Sequence, residues 1–205
     1  MPGPGMDLIG EEEKQQILEV IEGGYLFRYG SADDPAFKAK VYGLEQAVAG
    51  LVGVPYAVAV NSGTTALLVA LLGLGIGAGD EVIVPGYTFI ASMSSIVYAR
   101  AVPILAEVDA TLNLDPEDVE RKITPRTRAI MVVHMLGNAA RMDALAAIAD
   151  AHGLLLIEDC AQAFGASYKG RMLGSIGDVG TYSFNVYKTV TAGDGGMVVN
   201  SDETA

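Results

Sequence analysis

The chain has 205 residues, with 13 Lys plus Arg against 25 Asp plus Glu, for a net charge of −12. That field repels polyanions, so neither nucleic acid nor an anionic membrane surface is expected as a partner. With 51% apolar and 19% charged residues the chain can bury one sizeable core, and its single cysteine, Cys160, excludes an intramolecular disulfide and suits a reducing, cytoplasmic compartment.

Residues 1–10 hold neither a basic stretch nor an apolar run, so no secretory leader is expected and the segment reads as a flexible lead. Glu11–Gly23 reads as an amphipathic helix. Three acids open it, Ile17, Leu18, Val20 and Ile21 recur at helical spacing, and a glycine pair stops it. A polar, aromatic loop follows over 26–37, then a second helix over 38–51. From residue 57 short apolar runs alternate with helical segments. The runs at 57–60, 82–84, 104–107, 129–133 and 154–157 are too short for helices and mostly continuous, as in strands covered on both faces. Segments 64–74, 89–99, 116–122 and 142–152 are the crossover helices between them. The pattern predicts an α/β three-layer sandwich with a mainly parallel sheet. A last strand over 195–199 has no closing helix after it, which predicts an edge open to other strands. The longest apolar stretch, 66–78, is broken by three glycines and too short to span a bilayer.

In such a sheet ligands bind beyond the carboxyl ends of the strands. The runs are followed by Asn61-Ser62-Gly63-Thr64-Thr65, by Pro85-Gly86-Tyr87-Thr88-Phe89, by Glu107-Val108-Asp109, by His134 and by Glu158-Asp159-Cys160-Ala161-Gln162. The first is a strand, a small-residue turn and a helix start, which makes either a phosphate cradle or a merely capped helix. No Walker A loop or Gly-x-Gly-x-x-Gly motif is present. Asp159 ends an apolar strand, where a carboxylate is costly unless paired; it is a structural ion-pair partner or faces a cationic ligand nitrogen. Lys188 lies among apolar, aromatic and small residues before a glycine cluster. It is a surface lysine of a glycine-rich loop, or a secluded one whose partial burial favours the neutral amine that attacks carbonyls. A cradle, a buried-strand acid and a secluded lysine in this order point to pyridoxal 5′-phosphate. His134 has no metal-ligand partners spaced around it and reads as a packed, hydrogen-bonded residue; no metal site is expected. Cys160 has no base partner and reads as a buried small residue.

The segments NSGTTAL (61–67), VIVPGYTFIAS (82–92), LLLIEDCAQAFGASYKG (154–170), GDVGTYSFNVYK (177–188) and TAGDGG (191–196) resemble the DegT/DnrJ/EryC1/StrS family of sugar aminotransferases. The resemblance implies the fold-type I architecture of aspartate aminotransferase and a homodimer with sites at the subunit interface. The reaction it implies moves an amino group from glutamate or glutamine to a keto sugar, often nucleotide-linked, or to a keto-cyclitol. By position, Lys188 resembles the lysine that forms the Schiff base and shuttles the proton, and Asp159 the partner of the pyridine nitrogen. Gln162 resembles the residue at the phenolate edge, Gly63, Thr64 and Ser183 the phosphate ligands, and Phe89 the ring that stacks on the pyridine. The arm would then be residues 1–37 and the cofactor-binding large domain 38–205, incomplete because the family's C-terminal small domain has no counterpart. Asp194 stands where the family commonly has Glu, and the loop at 26–30 departs from the family's commonest form. Two alternatives are a truncated or inactive member with an assembly or regulatory role, and a sugar dehydratase using pyridoxamine phosphate. The latter carries histidine in place of the lysine, and Lys188 argues against it.

Overall fold

The computed structural model describes residues 3–31 and 33–201. Met1 and Pro2 of the expected lead, Ala32 of the expected loop and the polar terminus at 202–205 lie outside them. The ordered elements are α1 (Glu11–Gly23), α2 (Lys40–Val52), β1 (Tyr56–Val60), α3 (Gly63–Gly73), β2 (Glu81–Pro85), α4 (Ile90–Tyr98), β3 (Val102–Ala106), α5 (Pro116–Lys122), β4 (Thr127–Val133), α6 (Met142–His152), β5 (Leu155–Asp159), β6 (Ser167–Tyr168), β7 (Arg171–Met172), β8 (Val179–Ser183) and β9 (Gly196–Asn200).

Seven strands form one sheet in the order β1-β9-β8-β5-β4-β2-β3, and β6 with β7 forms a separate two-stranded ribbon. Neighbours are parallel from β8 through β3, whereas β9 runs antiparallel to both β1 and β8. The predicted mainly parallel sheet is therefore present. Three layers follow from the two-residue period of the strands. On β2, Val82 and Val84 pack against α3 and α4 through Leu67, Leu71 and Ile96, while Ile83 points the other way, toward Val119, Leu145 and Ile148 of α5 and α6. β4 divides in the same manner, with Met131 on one face and Ile130 and Val132 on the other. α2 closes the far end of that second face, where Val48 and Val52 join Tyr182, Phe184, Met197 and Val199.

Two expectations are corrected. The strand at 195–199 is no open edge: β9 is inserted between β1 and β8, and the edges are β1 and β3. Both edge strands are only partly buried, unlike the fully buried β2. The lead is also not loose. Residues Pro4–Leu8 form a 3₁₀ turn, Gly3 N–H donates to Val186 O at 2.8 Å, and Gly5 N–H donates to Lys188 O at 3.2 Å. A further connection runs through Arg28, which donates to Ala59 O at 2.8 Å and to the Glu45 carboxylate; the same carboxylate accepts from Ala59 N–H at 2.8 Å. The loop before α2 is thus fastened to β1. Among the described residues no helix is long and apolar enough to cross a membrane.

Candidate active site

Strand order decides where the site forms. The chain leaves β2 through α4 to the edge strand β3, then returns across β2 to β4 and β5, so loops diverge above the carboxyl ends of the central strands. A cavity of about 470 Å³ opens there, and Gly63, Thr64, Phe89, Asp159, Gln162, Ser183 and Lys188 all line it. They come from the ends of β1, β2, β5 and β8 and from the loop joining β8 to β9. All seven residues singled out from the sequence therefore share one cavity. The groups after β3 do not: Asp109 pairs with Arg141 at 3.2 Å, on the edge of the sheet away from the cavity.

One wall is the start of α3. Ser62 caps the helix by accepting from Thr65 N–H at 3.1 Å, which leaves the N–H groups of Gly63 and Thr64 without a helical acceptor at the positive end of the helix dipole. Gly63 is required by proximity. A Cβ there would stand 2.6 Å from Ser183 Cβ and 3.0 Å from Ser183 Oγ, so no larger residue lets α3 meet the end of β8 this closely.

The floor is Asp159, 4% exposed. Its Oδ2 accepts from Ser92 Oγ at 2.8 Å and its Oδ1 from Ala161 N–H at 3.1 Å. Burial raises its pKa above the ordinary aspartate value, against the opposing effects of those two hydrogen bonds and of the Lys188 and His134 charges. A cation placed over the carboxylate would relieve that cost. Gln162 lies one turn further on. Its Oε1 accepts from Leu136 N–H at 2.9 Å, which fixes the amide and leaves its NH₂ as the group available to a ligand. Phe89 is not core, being 67% exposed at the start of α4. Lys188 is half-buried, with its backbone N–H donating to Asn185 O at 2.9 Å. A smaller hollow of about 280 Å³ adjoins the cavity, sharing Lys188, Gln162 and Tyr187 with it and adding Leu136, Phe164 and Thr189.

Ser92 carries no signal in the sequence beyond its place three residues after Phe89, which puts both on one side of α4. Thr88, whose Oγ1 is 3.1 Å from Ser92 Oγ, continues that hydroxyl chain. Asn185 and Asp194 also line the cavity. His134 is packed beneath the site as expected. Its Nδ1 accepts from Ala140 N–H at 3.2 Å and its Nε2 lies 3.1 Å from Glu158 Oε2. The Glu158 carboxylate also accepts from the N–H groups of Gly174, Ile176 and Gly177. Ligand atoms of His134, Glu158 and Cys160 lie within 4.8 Å of one another, but these hydrogen bonds already occupy the first two.

A doubly wound sheet with a lysine, a floor carboxylate and a helix N-terminus around one cavity defines a fold-type I large domain, the architecture of pyridoxal-phosphate enzymes. The chain belongs to the DegT/DnrJ/EryC1/StrS aminotransferase family, whose model matches residues 7–205. It is 50% identical over 160 residues to the GDP-perosamine synthase of Caulobacter vibrioides, covering 78% of this chain and 43% of that protein. It is 53% identical over 155 residues to the L-glutamine:2-deoxy-scyllo-inosose aminotransferase of Streptoalloteichus tenebrarius, covering 75% of this chain and 37% of that one. The solved aminotransferase from Psychrobacter cryohalolentis superposes with a TM-score of 0.91 at 41% identity, over 100% of this chain and 50% of that structure. The chain thus spans about half the length, or less, of the relatives it matches.

Proposed function

We propose that the protein containing this chain is a pyridoxal-phosphate aminotransferase that moves an amino group from glutamate or glutamine to a keto sugar or a keto-cyclitol. The observation that carries this reading is the cavity that holds Lys188, Asp159 and the open end of α3 together. The names of the relatives support the acceptor and donor classes: one is a GDP-perosamine synthase, the other an aminotransferase of L-glutamine and 2-deoxy-scyllo-inosose. The residues fit the coenzyme. The Gly63 and Thr64 N–H groups with Ser183 Oγ suit a phosphate, the Asp159 carboxylate suits a protonated pyridine nitrogen, and the free NH₂ of Gln162 suits a phenolate oxygen.

When bound, the coenzyme would supply an electron sink and a temporary carrier for the amino group. Lys188 Nζ would be the attachment point and, once displaced by the donor amine, the base that takes the proton from the donor's substrate carbon and passes it on to the coenzyme within the same half-reaction; with the keto acceptor it would move a proton the opposite way. Asp159 keeps a proton on the ring nitrogen, and Ser92 Oγ and Ala161 N–H hold that carboxylate in line. Phe89 offers a face for offset stacking. The hollow beyond Lys188, with Leu136 and Tyr187 exposed at its rim, is where we place the acceptor ring. We take residues 38–205 as the coenzyme-binding domain and 1–37 as an arm. α1, which buries no residue and exposes Ile17, Leu18 and Ile21, supports a homodimer. The single free cysteine supports a cytoplasmic location.

The test uses the complete protein. Borohydride treatment of the coenzyme-bound form should fix pyridoxal phosphate on the peptide containing Lys188, and Lys188→Ala should abolish both the visible absorbance and amino transfer to a panel of keto sugars and keto-cyclitols. Full turnover in that variant would overturn the assignment.

A further inference from the structure

The segment ahead of α1 is Gly- and Pro-rich and none of its described residues lines the cavity, yet it touches the loop that carries Lys188. Lys188 sits between β8 and β9 in a loop whose inner edge is tied to itself: Val186 N–H donates to Gly193 O at 3.1 Å and Ala192 N–H to Phe184 O at 2.9 Å. The outward carbonyls of Val186 and Lys188 have no partner within the loop. They are taken by Gly3 and Gly5, at 2.8 and 3.2 Å. Gly3 is extended and Gly5 lies in the 3₁₀ turn, so their two N–H groups grip the loop backbone at two points, two residues apart on each side.

Steric fit is as specific as the hydrogen bonds. A Cβ on Gly3 would stand 2.3 Å from Tyr187 O, and one on Gly5 would stand 2.8 Å from Thr189 O and 2.9 Å from Lys188 O. These are backbone atoms of the lysine loop, which no rotamer change can move aside. Gly10, by contrast, meets only the Glu13 carboxylate at 4.0 Å.

We infer that residues 3–8 are a strap that positions Lys188: the Gly5 N–H holds the lysine carbonyl, Asn185 O holds its N–H, and the side chain is thereby aimed into the cavity. Gly3 and Gly5 are positioning residues, acting through the loop backbone without touching the substrate. The inference rests on the function proposed above for Lys188, and it adds a part of the chain that the cavity does not include.

Gly3→Val, Gly5→Val and the milder Gly5→Ala separate the possibilities in the complete protein, with Gly10→Ala as the control and far-ultraviolet circular dichroism confirming the fold. In the coenzyme-free protein, amide hydrogen exchange over residues 186–193 should accelerate by about tenfold or more in the strap variants and not in the control. Covalent attachment of pyridoxal phosphate to Lys188, trapped by borohydride, should slow by about tenfold, whereas the affinity for inorganic phosphate should change less than about twofold, because the α3 cradle is untouched. Equal losses in both would indicate general damage to the site and overturn the strap. Unchanged exchange in all three variants would overturn it as well. A parent protein that attaches no pyridoxal phosphate at Lys188 would overturn the function proposed above, and the exchange pattern would still decide whether the strap holds the loop.

Discussion

Asp159 places a carboxyl group where burial disfavours its charged form. Because burial raises its pKa, the stability tied to its neutral form is complete at acid pH and is lost as pH rises through the folded value, from about pH 4 upward. Asp159→Asn should therefore raise the melting temperature of the coenzyme-free protein near neutral pH and flatten its decline with pH, while weakening coenzyme binding. Calorimetry across a pH series checks both, and a lower melting temperature at neutral pH would contradict the sign. Ser92 acts on the same carboxylate. Ser92→Ala leaves Oδ2 without its buried donor, which should cost about 1–3 kcal/mol in urea unfolding of the coenzyme-bound form. Glu158 behaves oppositely. Its burial is outweighed by His134 and by the N–H groups of Gly174 and Gly177, so its pKa is lowered. The stability it contributes is present above the ordinary glutamate range and lost as pH falls through its folded value. Glu158→Gln should accordingly abolish part of the acid-unfolding transition, read by circular dichroism below about pH 5.

At the level of elements, the cradle depends on how closely α3 approaches the sheet. Gly196, the first residue of β9, would place a Cβ 2.3 Å from Ser62 O. Gly196→Ala should therefore push the α3 start away from Ser183, destabilise the protein by about 1–3 kcal/mol and weaken phosphate binding. Isothermal titration with inorganic phosphate measures the second effect, and unimpaired binding would show that α3 tolerates the shift. Elements differ in how plainly the sequence announces them. β2, β4 and β5 were legible because Val, Ile, Leu and Met run continuously where both faces are covered. β8 is not legible as a strand, since Val179-Gly180-Thr181-Tyr182-Ser183 mixes glycine and hydroxyl groups with apolar residues and gains its burial from distant partners, α3 on one side and α2, Phe164 and Leu173 on the other. The ribbon of β6 and β7 has two residues per strand, too few for any periodicity.

Across the whole molecule, what the sequence conceals is partnership over distance. Gly63, Thr64, Asp159 and Lys188 could be named from local motifs and strand ends and Phe89, Gln162 and Ser183 from the family resemblance, and they line one cavity, but their hydrogen-bond partners could not. Ser92 finds Asp159 across 67 positions, and Arg28 reaches Glu45 and Ala59 from a loop that reads only as polar and aromatic. The Gly-Pro-Gly composition of residues 3–5 suits a pliable segment equally well whether it is free or pressed against a loop near residue 188. Arg28→Ala should release the arm from β1 and speed proteolysis between α1 and α2 without unfolding the sheet; limited digestion followed by mass spectrometry would detect it. Cleavage unchanged from the parent would show that the aromatic contact of Tyr25 with Phe37, 5.3 Å between centroids, suffices to hold the loop.

The antiparallel insertion of β9 also dictates an order of events at the ribosome. β1 emerges early but, among the described residues, has a single ladder neighbour, which begins opposite Val60 only at Gly196. Until β9 leaves the exit tunnel, β1 is an unpaired ribbon beside nascent α2 and α3, and the Lys188 loop has no far side to close against. Synthesis halted just before Gly195 would thus leave β1 unpaired for chaperones to shield, and β1 would gain its ladder in the same step as the Lys188 loop gains its far side.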